Sequence, residues 1–254
     1  ADTGERLELR LDDETRRSLM RITARFLPQR PQPGPALALL HQVASYHREK
    51  AAIGETVVLD QTFVEKVFSI YSGLPPFVVS PSATRPAGEL RAWFQDRMVG
   101  QNRAIEAVVE TIALFKAGLN DPSRPIGSFL FVGPTGVGKT ELARALASFL
   151  FGSTTRLLRF DMSEFKDFHA FEMLMGNASR PDQPARLVDP VRAQPFQVVL
   201  FDELEKAHDN IADLFLQLLD EGQMTPPGGI PVNFRNTIVI ATSNVGAQDS
   251  AKAL

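Results

Sequence analysis

The sequence predicts an α/β fold in which a parallel sheet forms the middle of three layers, preceded by a mainly helical module. Four short apolar runs have the composition of buried strands, over 128–132, 157–160, 197–201 and 237–241. Segments with helical spacing separate these runs, and such alternation produces a parallel sheet with helices on its faces. A glycine-rich turn follows the first run and polar residues follow the others, so we expect a ligand site at the carboxyl ends of the strands.

The helical module is predicted over residues 1–86, and nothing in it points to catalytic chemistry. Asp12 or Asp13 can cap a first helix. A run of prolines ends this helix, and a second amphipathic helix follows it. Asp60 can cap a third helix, which a glycine closes.

Shorter features complete this module. Apolar residues alternate with charged ones over 7–11, and β-prone residues fill 56–59, so both stretches predict short strands. The stretch 75–88 is rich in proline, serine and alanine and predicts a linker. His41 and His47 are six residues apart, whereas a metal pair on one helical face needs a spacing of three or four. We therefore interpret both histidines as surface or packing residues.

Residues 87–254 predict the sheet together with the helices that flank it. One helix begins at Glu89, and a longer one covers 102–117 with apolar residues at helical spacing. Ser163 can cap the helix that follows the second strand. Asp209 can cap the helix after the third strand, whose apolar residues recur at the spacing of one buried face.

A phosphate-binding motif follows the first strand directly. Gly133, Gly138, Lys139 and Thr140 complete the pattern G-x-x-x-x-G-K-T, and helix-forming residues continue from Glu141. The glycines let backbone N–H groups converge on an anionic oxygen, and the helix N-terminus adds positive partial charge. Lys139 can reach the β- and γ-phosphates, and the Thr140 hydroxyl can bind Mg²⁺. We therefore predict that ATP is held by Pro134, Thr135, Gly136, Val137, Gly138, Lys139, Thr140 and Glu141.

Polar residues at the ends of two later strands fit the same site. The third strand ends in Asp202 and Glu203, and the fourth is followed by Asn244. Asp202 at the carboxyl end of a parallel strand would hold Mg²⁺, directly or through water. Glu203 would orient and polarise the attacking water. Asn244 could touch the γ-phosphate or that water, so we predict that Lys139, Glu203 and Asn244 are catalytic.

Composition limits the classes of function. The 254 residues suffice for one large domain or two modest ones, and their charge of −3 argues against a strongly basic nucleic-acid surface. Without cysteine the chain has no disulfide and no thiolate metal site, which fits a reducing cytosol. No apolar run approaches a membrane span, and no signal-peptide core opens the chain, so we expect a cytoplasmic protein. Because the chain does not begin with Met, we also expect a fragment.

With these motifs the chain resembles the Clp family of AAA+ unfoldases, and specifically the second ATPase domain of that family. The resemblance covers residues 88–247 and is carried by five stretches, 97–101, 121–142, 161–165, 200–208 and 234–237. Residues 1–86 resemble, more loosely, the small helical subdomain that closes the first ATPase domain. The resemblance implies a P-loop NTPase fold, a hexameric ring with ATP between subunits, and protein substrates or adaptors. It also implies adenine beside Val99 and Gly100, and Asn244 as the first sensor.

The resemblance breaks at the loop over 176–186. There the family carries a Gly-Tyr-Val-Gly loop that grips substrate in the pore, whereas this loop has no aromatic residue and is shorter. The chain also ends at Leu254, before the arginine finger, second sensor and lid of the family, so we expect weak hydrolysis from this chain alone. The main hypothesis is an ATP-driven ring that remodels proteins. The alternative is a nucleotide-switched assembly or scaffold protein that does not thread its substrate.

Overall fold

The computed structural model describes residues 11–27, 31–56, 58–83, 85–134, 136–177, 179–180, 182–227 and 229–245. The chain divides into two compact units, Ala1–Thr84 and Arg85–Leu254. This division falls inside the stretch that the sequence predicts as a linker. The resemblance of the first unit to a small AAA+ subdomain stays a prediction. None of the described helices is long and apolar enough to cross a membrane.

The first unit consists of helices α1 (Asp13–Phe26), α2 (Gly34–Ala52), α3 (Gln61–Ser72) and α4 (Pro76–Val79). Asp12 and Asp60 cap α1 and α3 as predicted, because their carboxylates accept the backbone N–H groups of Thr15 at 2.7 Å and Phe63 at 2.8 Å. The ring of Phe63 also packs against the edge of the His47 ring, which agrees with a packing role for that histidine.

Two predictions for the first unit need correction. The described part of the predicted strand over 56–59 is not a strand, and Val58 is 73% exposed. A lone extended segment has no neighbour to pair with its N–H groups, so β-prone residues alone do not make a strand. The four residues of α4 lie inside the predicted linker, where they form a helical turn that packs on α3 with Val78 and Val79 buried. The predicted strand over 7–11 lies outside the described residues, apart from Leu11.

The second unit alternates helices and strands. Its helices are α5 (Ala87–Gln95), α6 (Asn102–Ala117), α7 (Lys139–Phe151), α8 (Ala170–Met175), α9 (Val188–Ala193) and α10 (Asp209–Glu221). Its strands are β1 (Gly127–Val132), β2 (Leu157–Asp161), β3 (Val198–Asp202), β4 (Gln223–Met224), β5 (Val232–Asn233) and β6 (Ile238–Ser243). Short 3₁₀ turns follow α7, β2 and β3, at Thr154–Arg156, Met162–Glu164 and Leu204–Lys206.

The four long strands form one parallel sheet in the order β1-β6-β3-β2, and β4 pairs with β5 in a separate antiparallel hairpin. β3 and the first five residues of β6 are buried throughout, as expected for strands covered on both faces. On one face, Val199, Phe201 and Val239 join a core with α8, α9 and α10. The alternate residues point to the other face, where α7 packs on β2 and β3. The predicted three-layer parallel fold is therefore confirmed.

Two predicted helix starts are wrong. Ser163 does not cap a helix, because its N–H donates to the Asp161 carboxylate at 2.9 Å and closes the 3₁₀ turn after β2. The next helix begins only at Ala170. The cap of α10 is His208, whose Nδ1 accepts the N–H of Asn210 at 3.3 Å, and Asp209 is the first residue of the helix.

Candidate functional site

The loop between β1 and α7 contains glycines whose backbone conformation is left-handed. Gly136 and Gly138 have φ values of +85° and +97°, a conformation that side-chain-bearing residues rarely adopt. α7 begins at the next residue, Lys139, so the loop leads directly into a helix N-terminus with its positive partial charge. Thr135 lies outside the described residues.

Lys139 connects this loop to the end of β6. Its Nζ donates to the backbone oxygens of Gly133, Pro134 at 3.3 Å and Ser243 at 3.2 Å, and to the Asn244 side-chain oxygen at 2.7 Å. The amino group is thus surrounded by oxygen acceptors at the carboxyl ends of two neighbouring strands. Phosphate oxygens are acceptors of the same kind with more charge, so they can replace some of these partners.

Asp202 is buried at the end of β3 and receives donors on both carboxylate oxygens. Oδ2 accepts the Thr140 hydroxyl at 3.3 Å and Nη2 of Arg159 at 2.7 Å. Oδ1 accepts the hydroxyl of Thr242. Asp202 and Thr140 therefore present two adjacent oxygen ligands, the kind that Mg²⁺ prefers.

This donor set fits a magnesium ion that is shared with phosphate. Mg²⁺ in nucleotide sites keeps waters and phosphate oxygens and takes only one or two protein ligands. Among the described residues there is no cluster of three or more His, Cys, Asp or Glu that could cage a metal alone. Thr140 and Asp202 therefore suit such an ion in number and in chemistry, and their assignment as metal ligands stays a prediction.

Glu203 follows Asp202 in a strained backbone conformation. With φ at +60° and ψ at +53° it is the one non-glycine residue with positive φ in the described part of the chain, and such strain costs of order 1–3 kcal/mol. Its N–H donates to the Thr242 hydroxyl at 2.9 Å. Its carboxylate accepts the Asn244 side-chain N–H at 2.9 Å and pairs with Lys206. These contacts fix the direction of the Glu203 carboxylate.

Asn244 lies between the basic and acidic groups of the site. Its side-chain oxygen accepts from Lys139, and its side-chain nitrogen donates to Glu203. Its backbone N–H donates to Glu205 at 3.0 Å. Partial burial favours the neutral form of Glu205, yet the N–H of Asn244 and further hydrogen bonds hold the pKa of this carboxyl below its usual value.

These groups surround one cavity of about 390 Å³. It is lined by Gly136, Gly138, Lys139, Thr140, Glu141, Arg159, Asp161, Asp202, Glu203 and Asn244. The cavity therefore joins most of the predicted phosphate-binding residues to the predicted magnesium ligands and catalytic residues, whereas Pro134 does not line it and Val137 lines the adjoining cavity instead. Glu141 also forms an ion pair with Arg144 along α7, at 2.7 Å.

An adjoining cavity of about 600 Å³ continues past the loop along α6 and β1. Met98 and Gln101 line it, and Gln101 donates to the backbone oxygen of Val137 at 2.9 Å. Neither Val99 nor Gly100 lines it, and Val99 is 96% exposed. Gly100, with φ at +78°, turns the chain there. The assignment of adenine to Val99 and Gly100 stays a prediction.

Three residues of the site were not anticipated from the sequence. Arg159 and Thr242 lie inside strands and reach Asp202 from either side, and Lys206 reaches back from the turn after β3. A basic residue and a hydroxyl next to the carboxyl ends of otherwise apolar strands are the signals that could have found the first two. Lys206 carries no comparable signal, because a lysine in a polar turn is ordinary.

The loop over 176–186 is described except for residues 178 and 181. The side chain of Arg186 pairs with Glu164 at 3.2 Å and lies over the Phe165 ring. Asn177 accepts the N–H of Ser179 at 2.8 Å. The described polar residues of this loop are therefore partly held by local contacts within the second unit.

Comparisons with known proteins agree with this geometry. The family profile described as AAA domain (Cdc48 subfamily) matches residues 124–253. The ATP-binding subunit ClpC of the Clp protease from Staphylococcus aureus (strain USA300) is 41% identical over 212 residues, which are 82% of this chain and 26% of that protein. The chaperone ClpB 1 of Thermosynechococcus vestitus is 42% identical over 207 residues, 79% of this chain and 24% of the relative. The chain thus spans about a quarter of the length of these curated relatives.

Solved structures show the same similarity. A closed-state reconstruction of Hsp104 with ATPγS and casein has a TM-score of 0.81 and 32% identity, and covers 97% of this chain and 43% of the other. The extended conformation of the Saccharomyces cerevisiae Hsp104–casein complex has a TM-score of 0.80 and 31% identity, with the same coverage.

Proposed function

Because this chain belongs to the AAA family of ATPases, in its Clp/Hsp100 branch, we propose that the second unit binds ATP with Mg²⁺ and hydrolyses it. One observation carries this proposal. The phosphate-loop lysine, the acids that end β3 and the asparagine after β6 form one hydrogen-bonded network around a single cavity.

The loop and the start of α7 would bind the phosphates. The backbone N–H groups from Gly136 to Thr140 lie at the helix N-terminus, and Lys139 would exchange its oxygen partners for phosphate oxygens. Pro134, Thr135, Val137 and Glu141 would complete this part of the site.

The acids and the asparagine would serve the reaction. Thr140 and Asp202 would hold Mg²⁺, which supplies charge neutralisation when bound. Glu203 would accept a proton from the attacking water and orient it, with its carboxylate directed by Asn244. Asn244 also contacts Lys139, so it can register whether that lysine is engaged by phosphate.

For the whole protein we propose a ring that remodels proteins. Relatives are named as a Clp protease subunit and a chaperone, and Hsp104 is seen in a complex with casein. These comparisons favour remodelling over the alternative of a nucleotide-switched scaffold. The absence of an aromatic residue from 176–186 implies that substrate contact would rely on other residues than a tyrosine in this loop.

Substitutions of Lys139 and Glu203 test the assigned roles. Binding of a fluorescent ATP analogue with Mg²⁺ is measured first, because it reports the phosphate contact of Lys139 separately from the hydrolysis step that Glu203 would serve. Lys139→Met should weaken binding by at least about tenfold, since a charge-assisted contact to phosphate is lost. Glu203→Gln should keep binding and lose single-turnover hydrolysis of radiolabelled ATP.

Matched controls are available on the surface of the same unit. Lys166→Met and Glu110→Gln remove exposed groups of the same type outside the cavity and should leave both measurements unchanged. Wild-type protein that binds no ATP, or full hydrolysis by Glu203→Gln, would refute the proposal.

A further inference from the structure

Arg159 lies in β2 and reaches into the same cavity as the phosphate-loop lysine. Its neighbour Phe160 is buried in the core on one face of the sheet, so Arg159 points to the other face. Its Nη2 is 2.7 Å from Oδ2 of Asp202. The Asp202 side chain is only 12% exposed, whereas that of Arg159 is 49% exposed. The guanidinium is therefore the movable partner of a fixed carboxylate.

The oxygen that Arg159 occupies is the one that Mg²⁺ would need. Oδ2 of Asp202 faces the Thr140 hydroxyl at 3.3 Å, whereas Oδ1 is taken by the buried Thr242. A guanidinium at 2.7 Å and a divalent cation cannot both neutralise this oxygen without strong repulsion between them.

We propose that Arg159 is the counter-ion of Asp202 in the metal-free site, competes with Mg²⁺ for its Oδ2, and must release it when metal and nucleotide bind. This inference rests on the proposed ATP site and assigns a regulator of its metal dependence. The structure also offers a second partner for the released guanidinium. Asp161 lies two residues further along β2, hence on the same side of the strand, and lines the cavity.

The prediction is a change in how strongly nucleotide binding depends on the metal. Without Arg159, Asp202 is left without its counter-ion, so it attracts Mg²⁺ more strongly and repels metal-free phosphates. The half-saturating Mg²⁺ concentration should fall about tenfold, as expected for loss of a competing hydrogen bond to a charged group. Metal-free nucleotide affinity should fall at the same time.

The experiment uses the full chain and a fluorescent ADP analogue, which is not hydrolysed. Its affinity is measured in EDTA and across a Mg²⁺ titration for wild type, Arg159→Met and Arg159→Lys. Lysine keeps the positive charge but lacks the planar guanidinium group, so Arg159→Lys should give an intermediate change in the half-saturating Mg²⁺ concentration. The matched control is Arg91→Met, which removes an ion pair with Glu106 of the same 2.7 Å length away from the cavity.

The outcomes separate this inference from the proposed function. If wild type binds ADP and the half-saturating Mg²⁺ of Arg159→Met equals that of wild type, the inference is wrong and the ATP site stands. If affinity falls by the same factor with and without Mg²⁺, Arg159 binds phosphate itself, and the inference is again wrong. If wild type binds no nucleotide, both fail. Circular dichroism checks folding, and if the methionine variant is unfolded the lysine variant decides by the same criteria.

Discussion

Thr242 joins the two acids at the end of β3, and replacing it with valine tests whether this junction holds the site together. The residue is fully buried. Its hydroxyl donates to Asp202 and accepts the N–H of Glu203 at 2.9 Å. Valine has nearly the same shape without the hydroxyl, so Thr242→Val removes both hydrogen bonds and leaves the Glu203 N–H without this acceptor.

The size of the effect follows from these two contacts. A hydrogen bond to a charged group contributes about 1.5–3 kcal/mol, and an unsatisfied N–H costs about 1–3 kcal/mol. Asp202 keeps Thr140 and Arg159 as donors, and Glu203 is only half-buried. We therefore expect Thr242→Val to lower the free energy of unfolding by about 3 kcal/mol, in the lower part of the combined range. For a unit of this size the midpoint of thermal unfolding should then fall by about 9 °C.

Calorimetry of the full chain measures this midpoint for the second unit. Thr242→Ser is the control, because it keeps the hydroxyl and loses one methyl group, which should cost about 1 kcal/mol. Affinity for Mg²⁺ and nucleotide should also fall in the valine variant, since Asp202 and Glu203 lose their shared anchor. A valine variant no less stable than the serine variant would refute the role of the hydroxyl, and unchanged affinity would refute its positioning role.

Two further predictions concern backbone geometry and a helix cap. Gly222 has φ at +58°, and an added Cβ would lie 2.5 Å from the Ser123 carbonyl oxygen and 2.9 Å from Cγ of Arg235. Gly222→Ala should therefore lower the free energy of unfolding, measured by urea titration, by about 2 kcal/mol or more. An unchanged urea midpoint would contradict this. Hydrogen bonding from Thr15 holds the pKa of Asp12 below its usual value, so the stability from ionised Asp12 is present above its unfolded pKa and is lost as pH falls through the lower folded pKa. Hydrogen-exchange protection of the Thr15 amide, corrected for intrinsic exchange, should therefore decrease as pH is lowered in wild type and stay constant in Asp12→Asn. Equal pH dependence of protection in the two proteins would refute the cap assignment.

The sheet and the acids of the site could be predicted from the sequence because each depends on a local pattern. A strand that is buried on both faces consists of a continuous apolar run, and the first polar residues after this run mark the carboxyl end of the strand. The positions of Asp202 and Asn244 at the strand ends are predicted in this way. They come together because β3 and β6 are neighbours in register, with Val198 opposite Ile238.

The parts that could not be predicted depend on competition or on lateral contacts. The helix start expected at Ser163 fails because the carboxylate just before it captures the Ser163 N–H in a tighter turn. His208 caps α10 although Asp209 is the commoner cap type, because the imidazole lies one residue earlier and reaches the Asn210 N–H. Arg159 contacts Asp202 across neighbouring strands, a contact that requires the sheet order as well as the sequence of either strand.

The charged groups that would meet the nucleotide and the metal, Lys139, Asp202 and Glu203, have protein partners in this structure. Lys139 is held by backbone and side-chain oxygens, Asp202 by Arg159, and Glu203 by Lys206. Binding is therefore an exchange of partners, and its free energy is a difference between two sets of contacts. Two classes of substitution should then behave in opposite ways. Loss of Lys139 or Asp202 would remove a proposed contact to the bound nucleotide or metal and should weaken binding, whereas loss of Arg159 would remove the proposed competitor and should strengthen binding of the metal.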